Sequence, residues 1–104
     1  MKKRGKIGLI YTFHNRLEFS RASIISFKKY TNFNLVSDVV AIDVECSDGT
    51  EKLIRKQPEF RRVLPCKYGI VSSAIVTGIQ EVKGKYLIHI PNDLIFSEKW
   101  LISR

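Results

Sequence analysis

Three polar segments hold the side chains of this chain that could do chemistry. They are Thr12-Phe13-His14-Asn15-Arg16, the stretch from Asp43 to Asp48, and Asn92-Asp93. Each follows a short apolar run. The last is the most pointed: Tyr86 to Ile90 reads as a strand, Pro91-Asn92 stops it, and Asp93 stands at its carboxyl end. In open α/β sheets, ligands bind beyond the carboxyl ends of the strands. An aspartate carried there by a rigid strand suits a hard divalent cation that in turn binds a diphosphate. Asp43 closes the second apolar run in the same way, and the first is followed by hydrogen-bonding groups and the cation of Arg16. No GxGxxG or GxxxxGKS loop is present, so phosphates would be held by a metal and by Arg or Lys. No Ser-His-Asp or Cys-His order marks a nucleophile.

Each of these residues also has a plainer reading. Asp93 can cap a terminal helix, and the two roles are compatible. Asp48, three residues before Glu51, resembles a capping box. His14 is a ligand contact or an ordinary loop residue. His89, inside a strand, reads as a hydrogen-bonded core histidine. Arg61 and Arg62 either touch a diphosphate or line an exposed edge.

The elements that must position these groups alternate in type. Ile7 to Tyr11 is a first buried strand, and Thr12 to Asn15 its loop. Arg16 to Tyr30 has helical spacing, with Leu17, Ile24 and Phe27 on one face. Leu35 to Asp43 contains the β-rich VVAID, and a short helix runs from Asp48 to Lys56. Arg61 to Pro65 is a third strand. Tyr68-Gly69 opens the strongest helix, whose apolar face is Val71, Ala74, Ile75, Gly78, Ile79 and Val82. Gly78 would let it approach a sheet closely, and Gly84 suits a left-handed cap. Tyr86 to Ile90 is then a fourth, buried strand. Leu94 to Arg104 is short and amphipathic, able to dock through Trp100 and Leu101. Such a β-α-β-α-β-α-β order predicts one α/β domain with a mainly parallel, Rossmann-like sheet and helices on both faces.

Composition narrows the class. The 104 residues are 44% hydrophobic and 11% aromatic, which is globular rather than disordered. The net charge of +8 is scattered, without the run of like charges that marks a nucleic-acid tail. Its field would still attract a phosphorylated small molecule or a polyanion. Cys46 and Cys66 have no metal-type spacing and fit a reducing compartment. No apolar run nears the roughly 18 residues of a membrane span, and the basic amino terminus lacks a signal-peptide core. A cytoplasmic location is expected.

Read together, the motifs resemble the amino-terminal, nucleotide-sugar-binding half of the family 2 glycosyltransferases, which have a GT-A fold. KIGLIYTFHNR resembles that family's opening strand and P-T-Y-N-R-like loop. AIDVECSDGT resembles its D-D-G-S-x-D-G-T loop, matching at Asp43, Asp48, Gly49 and Thr50 and departing at Val44, Glu45 and Cys46. YGIVSSAIVTGIQEVKGKYLIHIPND resembles G-x-x-x-A-x-N-x-G-x-x-x-A-x-G-x-Y-x-x-x-x-D-x-D. Gly69, Ala74, Gly78, Gly84, Tyr86 and Asp93 match; Val76 and Pro91 depart. The resemblance implies a minimal GT-A domain binding a UDP-, GDP- or dTDP-linked sugar and transferring it with inversion to an acceptor. Thr12, Phe13, His14, Asn15, Arg16 and Asp43 would contact the nucleotide. Asp93, with Asn92, would hold Mg²⁺ or Mn²⁺. Family members continue into an acceptor-binding half that carries the catalytic base, and nothing here obviously replaces it. Two rivals remain: a non-catalytic nucleotide- or protein-binding module, and a small basic nucleic-acid-binding protein. An uncovered sheet edge or apolar face leads to an expectation of self-association.

Overall fold

The computed structural model describes residues 5–66, 71–98 and 100. Four strands, β1 (Ile7–Phe13), β2 (Val36–Asp43), β3 (Arg62–Pro65) and β4 (Tyr86–Pro91), form one all-parallel sheet in the order β3-β2-β1-β4. Helix α1 (Leu17–Tyr30) links β1 to β2, α2 (Thr50–Arg55) links β2 to β3, and α3 (Val71–Glu81) links β3 to β4. A short 3-10 turn, Phe33–Leu35, precedes β2.

Side chains alternate across a strand, and here both faces of the central strands are apolar, as a doubly covered parallel sheet requires. Leu9, Tyr11 and Phe13 of β1 join Val39 and Ala41 of β2 on one face, packed by Ile24 and Phe27 of α1 and Ile54 of α2. Ile10 joins Val40 and Ile42 on the other, under Ala74 of α3. The first face is aromatic: Tyr11 stacks on Phe13 at 4.4 Å between centroids and meets Phe27, Phe60 and Phe96 edge-on. The Tyr11 hydroxyl is bonded to Ser23, so the buried ring keeps a polar partner, and burial pushes its pKa up.

The predicted α/β class and helices on both faces hold, and several details differ. β1 runs two residues beyond the apolar stretch, through Phe13, because Phe13 still fills the core. β4 is an edge strand: Tyr86 and Leu87 stay 58% and 42% exposed, since α3 packs over β1 and β2. Residues 94–98 are not helical. Phe96 is nevertheless buried, Trp100 packs on it, and the Trp100 indole donates to Thr31 Oγ1 at 3.1 Å. Leu101, and Tyr68-Gly69 before α3, lie outside the described residues.

The two glycines near α3 act through space rather than through φ. A Cβ on Gly78 would meet Ile10 Cγ2 at 2.3 Å, so the bare position brings α3 onto the sheet. Gly84 is not left-handed; a Cβ there would meet Gly8 N at 2.4 Å. The chain entering β4 therefore passes against the β1 backbone, which the reading of Gly84 as a helix cap did not foresee.

Candidate functional site

The sheet order fixes where a cleft can form. The chain steps outward from β1 to β2 to β3 and then returns past both to β4. With right-handed crossovers the first two helices and the third fall on opposite faces. β1 and β4 are thus neighbours whose crossover helices lie on opposite faces, the arrangement at which open α/β sheets receive ligands. The chain leaving β4 turns to the α1 side, where Asn92 bonds Asn15 and Ser20 and the Phe96 N–H donates to Ser26 Oγ. Register brings the predicted residues to that edge: Thr12 pairs with Pro91, Phe13 with Asp43, and Asp43 with Pro65.

Asn15 ties the three loops together. Its backbone N–H donates to Cys46 Sγ at 3.4 Å, and its Oδ1 accepts from Ser47 N at 2.6 Å. Its carbonyl accepts from Asn92 Nδ2 at 2.8 Å and from Ser20 Oγ at 3.1 Å. Asn15 and Arg16 are both left-handed, at φ 53 and 60, as is Glu45 at φ 52. Non-glycine residues seldom adopt such backbone unless their surroundings enforce it. All three flank the same edge.

Asp48 adds a second tie. Its Oδ2 accepts from Leu17 N, the first residue of α1, and its Oδ1 from Thr50 N and Thr50 Oγ1 at the start of α2. These bonds hold its carboxyl below the usual value, the Thr50 hydroxyl first among them. Glu51 does not complete the capping box; it pairs with Arg55 instead, and the residue before α2 is Gly49 at φ 97.

The predicted site residues divide into inward and outward sets. Phe13 is fully buried in the aromatic core, so its ring does not face a ligand. Thr12 is buried on the α3 face, 2.8 Å from His89 Nε2. His89 is part-buried, and burial lowers its pKa. Asp43 points to the opposite face by its pairing with Phe13, and its Oδ1 accepts from Cys46 N at 2.8 Å. Asn92 is buried, and its Nδ2 donates to the Asn15 carbonyl and to Ser20 Oγ, so it braces the cleft. His14, Arg16 and Asp93 are exposed, as is Glu45, which sequence reasoning had passed over. His14 Nδ1 donates to the Val44 carbonyl at 2.6 Å, which leaves Nε2 as an acceptor in the neutral ring. Arg16 lies over the Phe19 ring at 4.9 Å.

Arg61 and Arg62 sit at the other end of the sheet. Arg61 grips the buried Asp38 at 2.6 and 2.8 Å, and Arg62 pairs with Glu81. Neither belongs to the cleft, because both precede or open β3 while the candidate site follows the strands' carboxyl ends. Cys46 is a structural thiol. It donates to the Phe13 carbonyl at 3.3 Å, and burial pushes its pKa up to about 12, against the Asn15 N–H that pulls it down.

The exposed set offers an imidazole acceptor, a guanidinium and the two carboxylates of Glu45 and Asp93. Among the described residues no group of three or more His, Cys, Asp or Glu side chains could hold a metal. A cation at Asp93 therefore fits one mode, in which a single carboxylate binds it and phosphate oxygens and water complete the shell. No helix among the described residues is long and apolar enough to cross a membrane. No protein-family model matches this chain, and no curated protein matches it.

Proposed function

We propose that this chain is a GT-A-like nucleotide-sugar-binding domain of family 2 glycosyltransferase type, taking a UDP-, GDP- or dTDP-linked sugar at the carboxyl edge of β1 and β4. The observation that carries the reading is the shared carboxyl edge of the adjacent parallel strands β1 and β4. Asp93 is exposed two residues past β4, and the bent Asn15-Arg16 turn leaves the neighbouring β1.

The backbone of the second loop supports the likeness. With Asp43 and Asp48-Gly49-Thr50 set on D-D-G-S-x-D-G-T, the motif's two glycines fall on Glu45 and Gly49. Both have positive φ, 52 and 97. Left-handed backbone where the motif has glycine is what a shared loop shape would demand, even though Glu45 carries a side chain.

In this reading Asp43 contacts the base or ribose, and His14 and Arg16 meet the ribose and phosphates. Asp93 holds Mg²⁺ or Mn²⁺ together with diphosphate oxygens. The bound cation supplies the charge that lets a nucleoside diphosphate leave. Transfer to an acceptor hydroxyl is the reaction the resemblance implies, and no residue is assigned as its base. Binding without transfer shares the same first step.

Calorimetry with UDP- and GDP-sugars, with and without Mn²⁺, tests that step. The expected result is metal-dependent heat for at least one donor, weakened about tenfold or more by Asp93→Ala, a loss of about 1.4 kcal/mol. No heat for any donor would overturn the proposal.

A further inference from the structure

Among the described residues no strand lies outside β4, and the direction of its backbone groups can be read from its inner pairing. Tyr86 lies opposite Ile7, and its N–H donates to the Lys6 carbonyl at 2.9 Å. Backbone groups alternate sides along a strand. Tyr86, Ile88 and Ile90 therefore turn theirs toward β1, while Leu87 and His89 turn theirs away from the sheet. Pro91 falls in the outward set, where its missing N–H costs the sheet nothing.

The open window is short and apolar. Leu87 lies on the α3 side of the sheet: a Cβ on Gly8 would meet both Val82 Cγ2 at 2.9 Å and Leu87 Cδ2 at 3.1 Å. On that side Val76 and Ile79 of α3 are also half exposed, and Tyr86 is exposed on the other face of the strand. The strand's ends differ in charge. Lys6, Lys83 and Lys85 cluster at its amino end, and Asp93 follows its carboxyl end.

We propose that a second copy of this chain pairs with this edge, β4 against β4, antiparallel about a two-fold axis at Ile88. Leu87 then exchanges its outward N–H and C=O with the partner's His89, and the partner's Leu87 does the same with His89. Charge selects the direction. Antiparallel pairing sets the basic end of one strand against the acidic end of the other, whereas parallel pairing sets like against like. The antiparallel contact about a two-fold axis is isologous and closed. Exposed charges choose the orientation more than the strength. The ladder bonds and the apolar side chains supply the rest. The contact is independent of what the cleft binds; Asp93 alone is common to both.

Sedimentation velocity over a concentration series tests it, with amide exchange as the second readout. The expected mass rises from 12.0 kDa toward twice that value. The Leu87 and His89 amides slow as concentration rises, while those of Tyr86 and Ile88 stay unchanged. Leu87→Pro removes an outward N–H that the fold itself does not use, so it should stay folded by circular dichroism and associate at least about tenfold more weakly. Leu87→Lys keeps that N–H, adds a charge, and should weaken association as well. Three results would overturn the proposal: a chain that is monomeric throughout, a Leu87→Lys variant that associates as strongly as the native chain, or a dimer whose Leu87 and His89 amides exchange at the monomer's rate.

Discussion

Asp48 is an exposed carboxylate that touches the first turns of two helices, through Leu17 N and through Thr50. Its sequence context pointed to a cap for the second helix alone. The bond to α1 crosses from one loop to another and leaves no local pattern to read. Because these bonds depress its pKa, the stability they contribute is fully present above the unfolded value of about 3.9. It is lost as pH falls through the lower folded value. Asp48→Ala should therefore be less stable than the native chain at pH 6, and the gap should close well below pH 4. Urea midpoints across that range measure it. A gap that stays constant down to pH 2 would contradict the assignment. Glu45 teaches a related lesson: its left-handed backbone is invisible as composition and becomes legible only when the loop is set against the motif's glycine.

At the scale of elements, the alternation of apolar runs and helical spacing was enough to name all four strands, α1, α2 and α3 in order. A parallel sheet with buried central strands writes itself as continuous apolar segments such as Ile7 to Tyr11. Edges are less readable. Nothing in YLIHI distinguishes an outer strand from an inner one, and only Pro91 hinted that an N–H was dispensable. Long-range ion pairs are equally silent. Asp38, 1% exposed on β2, receives Arg61 from ahead of β3 and the Lys83 N–H from beyond α3, and Arg61 also donates to the Glu81 carbonyl. That cluster fastens β2, β3 and the end of α3 at the edge away from the cleft. The Arg61 side chain is 33% exposed, so water would soften its loss. Arg61→Ala should cost about 3 kcal/mol, the low end for breaking a buried pair. A denaturant series showing less than about 1 kcal/mol, the worth of an ordinary surface pair, would mean the pair is peripheral to the fold.

For the whole molecule, the sequence placed three polar segments at a common edge, and the register of β1, β2 and β4 puts them there. What it does not carry is which way each side chain turns. Phe13 and Asn92 fall within the right loops, yet one fills the core and the other braces Asn15. Only the fold separates the residues that build the edge from those it presents: His14, Arg16, Glu45 and Asp93. A backbone amide spectrum titrated with UDP and GDP in the presence of Mg²⁺ reads that division directly. The expected shifts centre on His14, Asn15, Arg16, Glu45 and Asp93, with the amides of Asp38, Arg61 and Arg62 at the far edge unmoved. Shifts confined to the far edge, or none with either nucleotide, would contradict the proposed site.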